Sequence, residues 1–147
     1  MIWLLRHADA ADGHPDEARP LTNKGQRQAR IAGRALAQLD VRLGACLTSP
    51  RVRALDTARL ACDSLGCTPT VVEELDGGPF DAERLAAGLG DVLLVGHNPS
   101  MQQAVHDLTG ARTRFKKAAL AAISDRELVA LLGPRELAAI AGGGGSL

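Results

Sequence analysis

The chain opens Met1-Ile2-Trp3-Leu4-Leu5-Arg6-His7-Ala8, and the fold turns on how this stretch is read. Met1 to Leu5 is continuously apolar, without the alternation of a half-buried strand. Such a run fits a β-strand covered on both faces. It is far too short to span a bilayer. Arg6 interrupts it before it reaches the length of a secretory leader, so a cytoplasmic location is expected.

Working outward, similar short runs recur. Ala45 to Thr48, Thr70 to Glu73 and Asp91 to Val95 read as strands, and Val92-Leu93-Leu94-Val95 is the clearest. Longer amphipathic segments lie between them. Thr22 is an N-cap for a helix from about Asn23 to Leu39, with Ala29, Ala32, Leu36 and Leu39 at helical spacing. Ser49-Pro50 reads as cap and first helical position of a second helix, which ends near Gly66. Ala82 to Leu89 and Pro99 to Leu108 predict two more helices, and residues 8–21 a loop. Ala118 to Ile123 and Glu127 to Leu132 predict a closing strand pair around Ser124-Asp125. Strands alternating with helices imply an α/β domain with a mostly parallel sheet, over residues 1–141. The glycine-rich tail, 142–147, is expected to be disordered.

Composition narrows the function. Lys+Arg and Asp+Glu both number 17, so the 147-residue chain is formally neutral and lacks the basic footprint of a general nucleic-acid binder. Nothing in the sequence suggests a membrane partner. Cys46, Cys62 and Cys67 make neither a CxxC pair nor a zinc set, and read as structural thiols.

The chemistry collects at strand ends, where α/β sheets build their sites. Arg6 and His7 follow the first strand, Ser49, Arg51 and Arg53 the second, Glu73 and Glu74 the third, His97 and Asn98 the fourth. Two arginines and two histidines with a carboxylate nearby suit a phosphoryl group. Arginine offers bidentate donors to phosphate oxygens, and a neutral histidine can attack phosphorus. A second histidine, if protonated, would share the charge on the equatorial oxygens. There is no Walker loop and no HExxH motif, so neither a metal nor a cofactor is expected.

These residues carry a resemblance. Arg6-His7-Ala8, Arg19-Pro20-Leu21-Thr22-Asn23-Lys24-Gly25, Ser49-Pro50-Arg51-Val52-Arg53-Ala54 with Thr57-Ala58, and Val95-Gly96-His97-Asn98-Pro99 occur in this order. Together they resemble the histidine phosphatase superfamily, and within it the small bacterial phosphohistidine phosphatases of the SixA type. Alanine at position 8 departs from the commoner glycine. The resemblance implies a phosphoglycerate mutase-like fold, a three-layer α/β/α sandwich. It implies that His7 is the phosphorylated nucleophile and that Arg6, Arg53 and His97 bind the phosphoryl group, with Arg19 reaching the same pocket. Glu74 is the positional candidate for the proton donor that the larger members use, with Glu73 the alternative.

Arg51, two residues from Arg53 on an expected helix, reads as a surface charge, and His14 and His106 match no motif position. Only a short segment separates Glu74 from His97, which leaves no room for a large lid. Aromatics are scarce, with Trp3, Phe80 and Phe115 alone. An open pocket without stacking walls favours a phosphohistidine on a protein as substrate. The alternatives are a small phosphomonoester, as for a phosphomonoesterase or a phosphoglycerate-mutase-like enzyme, and an inactive phosphate-binding module.

Overall fold

The computed structural model describes residues 1–142. Six strands form one sheet: β1 (Ile2–Arg6), β2 (Ala45–Thr48), β3 (Pro69–Val71), β4 (Val92–Gly96), β5 (Leu120–Ser124) and β6 (Glu127–Leu132). The order across the sheet is β3-β2-β4-β1-β5-β6. β1 to β4 run parallel to one another, and β5 turns the chain antiparallel beside β1. β6 pairs antiparallel with β5.

The period of two along a strand divides the core. Trp3, Leu5, Cys46, Leu93 and Val95 face α1 (Asn23–Gln38), α2 (Val52–Cys62) and α5 (Pro134–Ala141). Leu4, Leu47, Val92 and Leu94 face α3 (Ala82–Ala86) and α4 (Ser100–Thr109). The sheet is therefore the middle layer of three. Its central strands are apolar on both faces because both faces are covered.

The structure corrects several boundaries. α2 starts at Val52 with Arg51 as its N-cap, not at Pro50. The reason is that Ser49 is still tied to the sheet, its N–H donating to the Val95 carbonyl at 3.0 Å. α3 stops at Ala86, and the chain then turns through Gly88 and Gly90, both at positive φ. β3 ends at Val71, and Glu73–Leu75 forms a 3-10 turn instead of continuing the strand. α5 has no counterpart in the sequence reading, although Pro134 at its start and a Glu136 carboxylate accepting from the Gly133 N–H at 2.8 Å are ordinary start signals. The β5–β6 turn centres on Asp125 and Arg126, both left-handed, as the tightest hairpins require. Apart from Gly142, the tail expected to be disordered lies outside the described residues.

The Arg19–Gly25 stretch is a lock between the loop after β1 and the start of α1. Thr22 caps the helix, its Oγ1 accepting from the Gly25 N–H at 3.0 Å while donating to the Asp9 carboxylate at 2.8 Å. A Cβ on Gly25 would stand 2.0 Å from the Asp9 carbonyl oxygen. In an exposed helix, Gly→Ala is normally favourable. Here the clash is with backbone, so Gly25→Ala should destabilise the protein by about 1–3 kcal/mol, read as a lower urea midpoint.

Candidate active site

Sheet order builds the site. β1 and β4 are parallel neighbours with Arg6 opposite Gly96, so the next residues, His7 and His97, leave the sheet side by side. The His7 N–H donates to the Gly96 carbonyl at 2.9 Å. The two rings lie 5.3 Å apart, centroid to centroid, and are tilted by 54°. This is little more than the spacing of adjacent strands. β2 flanks β4 on the other side and adds Ser49, whose Oγ is 2.7 Å from His97 Nε2.

His7 is held in one tautomer. Its Nδ1 lies 2.8 Å from the Ala8 carbonyl oxygen, which can only accept, so Nδ1 carries the proton and Nε2 keeps its lone pair. The Ala8 backbone is itself anchored. Its N–H donates to Thr57 Oγ1 at 3.0 Å, and Thr57 Oγ1 donates to the Arg53 carbonyl at 2.6 Å. A chain of hydrogen bonds thus runs from α2 to the imidazole. Nothing in the residue pattern announced this job for Thr57 beyond its place in the Ser49–Ala58 stretch.

Both histidines are buried and neutral. Burial, opposed by the Ala8 carbonyl bond and assisted by the charges of Arg53, Arg6 and Lys117, lowers the His7 pKa to about 4. Burial, then His7, Arg53 and Arg51, lower that of His97 to about 3. His97 is therefore a neutral hydrogen-bonding ring, not the cation that the sequence reading allowed for. Its Nδ1 is buried without a partner among the described residues.

Arg6 ends β1. Its Nη1 donates to the Phe115 carbonyl at 2.9 Å, while its Nε is buried and unpaired among the described residues. Arg53, on the first turn of α2, directs both Nη atoms at Asp16: Nη1 to the carbonyl at 2.9 Å and Nη2 to the carboxylate at 3.2 Å. Arg19 reaches the same carboxylate at 3.1 Å, and Arg51 reaches it at 2.5 Å. Asp16 is thus a hub for three arginines, led by Arg19 in holding its carboxyl below the usual range. It was missed because it is one acid among many in a polar loop.

Arg51 is a correction. The face argument fails because Arg51 precedes the helix, with extended backbone. Its Nε also binds the Asp76 carboxylate at 2.6 Å, so it joins the loop after β1 to the turn after β3. Glu74 is not brought to the histidines; its exposed carboxylate pairs with Arg84. The carboxylate of that turn whose charge reaches His97 is Asp76. Glu73, His14 and His106 are exposed.

Comparison with known proteins identifies the family. The model of the histidine phosphatase superfamily (branch 1) matches residues 2–81. The phosphohistidine phosphatase SixA of Escherichia coli K12 is 30% identical, over 84% of this chain and 84% of its own. An uncharacterised protein of Picosynechococcus is 34% identical, over 92% of this chain and 98% of its own. The structure of the protein histidine phosphatase SixA complexed with tungstate superposes with a TM-score of 0.80 at 26% identity, covering 92% of this chain and 98% of that one. The chain belongs to the histidine phosphatase superfamily, and its relatives place it with the SixA-type members.

Two outcomes follow from the geometry. Thr57→Val keeps the volume but removes both hydrogen bonds, and should lower kcat by about 10–100-fold, whereas Thr57→Ser should retain most activity. Because both rings protonate well below the 6.5 of free imidazole, the acid limb of kcat/KM, corrected for substrate ionisation, should fall near pH 4. Unfolding returns the rings to ordinary values. Stability should therefore be intact above pH 6.5 and be lost progressively as pH falls toward 4, seen as a declining Tm.

Proposed function

We propose that this protein is a metal-independent phosphatase working through a phosphohistidine on His7, and that its substrate is a phosphohistidine on another protein. One observation carries the mechanism. The Ala8 carbonyl fixes the proton on Nδ1 and leaves the Nε2 lone pair of a neutral, buried ring among arginines. Such a nitrogen is a nucleophile at neutral pH. The surrounding donor set suits an anion and not a metal cation.

In the first step Nε2 attacks phosphorus in line, the Nε2–P bond forms, and the bond from phosphorus to the substrate nitrogen breaks with its electron pair leaving on the imidazole. Water then attacks phosphorus, the Nε2–P bond breaks, and inorganic phosphate leaves. Arg6 and Arg53 hold the phosphoryl oxygens and stabilise their charge through both steps. Arg19 acts through Asp16. For His97, Ser49 Oγ accepts from the Arg51 N–H at 3.2 Å and can give its own proton to His97 Nε2. That leaves Nδ1–H, without a partner among the described residues, as a donor to a phosphoryl oxygen.

A phosphohistidine substrate can bring the proton its leaving imidazole needs. An alcohol cannot, and Glu74 is the proposed donor there once it releases Arg84. Asp16 is unsuited, because its arginines keep it ionised. The SixA relatives, one complexed with the tetrahedral oxyanion tungstate, support this substrate class. No helix among the described residues is long and apolar enough to cross a membrane. A cytoplasmic location is proposed, consistent with three free thiols.

The test is phosphate release from a phosphohistidine phosphocarrier with EDTA present. Undiminished activity is expected, with acid-labile label trapped on His7 and turnover abolished in His7→Ala. Loss of activity on chelation overturns the metal-free reading. Action on sugar or nucleotide phosphates with none on phosphohistidine would favour the phosphomonoesterase reading. Glu74→Gln should slow an aryl phosphate more than a phosphohistidine peptide, and unchanged rates on both would remove Glu74 from the mechanism.

A further inference from the structure

The chain is formally neutral, yet one rim of the pocket is not. The segment 110–117 joins α4 to β5 and carries Arg112, Arg114, Lys116 and Lys117, all exposed. Lys117 pairs with Asp9 at 3.4 Å. Among the described residues Arg112, Arg114 and Lys116 form no ion pair. Across Asp9, the exposed Lys24 extends the same positive field onto α1. On the opposite rim Asp76 is engaged by Arg51 and Glu74 by Arg84.

This segment is a fixed part of the site. Phe115 is buried, its carbonyl accepts from Arg6 at 2.9 Å and from Asn98 at 2.8 Å, and its N–H donates to Gln102 at 3.1 Å. The Ala118 N–H donates to the His7 carbonyl at 3.1 Å. The cations are therefore carried on backbone bonded directly to both catalytic strand ends. Between the segment and α4 lies a cleft of about 360 Å³, lined by Pro99, Gln102, His106, Arg112 and Thr113. It starts two residues beyond His97.

A lone phosphate needs only the clamp around His7. Unpaired cations spread along the rim add little to holding it, but they attract and orient an extended negative surface. The only aromatic ring of the segment, Phe115, is buried, so a base would find nothing there to stack on. We propose that segment 110–117 and the cleft beside it form a docking surface for an acidic stretch of the protein that presents the phosphohistidine. The proposal rests on the function proposed above and deepens it.

The test uses two phosphohistidine peptides of equal length, one flanked by Asp and Glu, the other by Ser and Gln, with an aryl phosphate in parallel. The wild type should turn over the acidic peptide about tenfold more efficiently at low salt, and the preference should shrink as salt rises. Arg112→Gln, Arg114→Gln and Lys116→Gln combined should abolish the preference and leave aryl phosphate turnover unchanged. Equal turnover of the two peptides by the wild type overturns the docking surface alone. So does a preference that survives in the triple variant, or a triple variant equally impaired on the aryl phosphate. Stronger competition by a single-stranded oligonucleotide than by an unphosphorylated acidic peptide would reassign the surface and overturn the proposal. Turnover of the aryl phosphate and of neither peptide overturns the proposed function together with it.

Discussion

The parallel pairing of β1 with β4, in the register that sets Arg6 opposite Gly96, is the constraint on which the site depends. It brings two histidines that are 90 residues apart in sequence to adjacent strand ends. The pairing is maintained by apolar burial on both faces, since Leu4, Leu5, Leu94 and Val95 are fully buried. A slip of one residue would exchange the two faces of β1 and turn its side chains toward the wrong layer. Packing on both sides therefore fixes the register, and the register fixes the distance between the rings.

A buried pair of neutral imidazoles beside several guanidinium groups needs an arrangement that keeps the cations from repelling one another. Asp16 supplies it. One carboxylate draws Arg19, Arg51 and Arg53 together from the loop, the cap of α2 and its first turn. Of these, Arg53, together with Arg6 and Lys117, also helps keep His7 unprotonated. In the proposed mechanism nucleophile and clamp are thus coupled: the positive charge that would hold a phosphoryl group also preserves the lone pair that would attack it. Thr57 completes the arrangement mechanically, by linking the backbone of α2 to that of Ala8, whose carbonyl orients His7.

The two rims of the pocket behave differently for a reason of chain topology. The turn after β3 is stapled by ion pairs that engage Glu74 and Asp76. The segment before β5 is held through its backbone and through buried Phe115. Of its cationic side chains Lys117 pairs with Asp9, while Arg112, Arg114 and Lys116 take no part in that anchoring and form no ion pair among the described residues.

Much of this was legible in the residues themselves. Continuous apolar runs identified β1, β2 and β4, because strands covered on both faces cannot alternate. Ionisable groups after each run marked His7, Arg53 and His97, and Thr22 announced the start of α1 by its capping chemistry. What sequence could not supply was adjacency. Ser49 reads equally well as a helix cap, and only its hydrogen bonds to β4 and His97 show that it belongs to the sheet edge. Asp16 and Arg51 look like surface charges until the loop folds over α2. Glu74 looks better placed than Asp76 until the 3-10 turn rotates it toward Arg84. Local pattern determines which segments become strands and helices, because periodicity and capping act within a few residues. Which carboxylate meets which arginine is decided by non-local packing, and that exists only once the sheet has assembled.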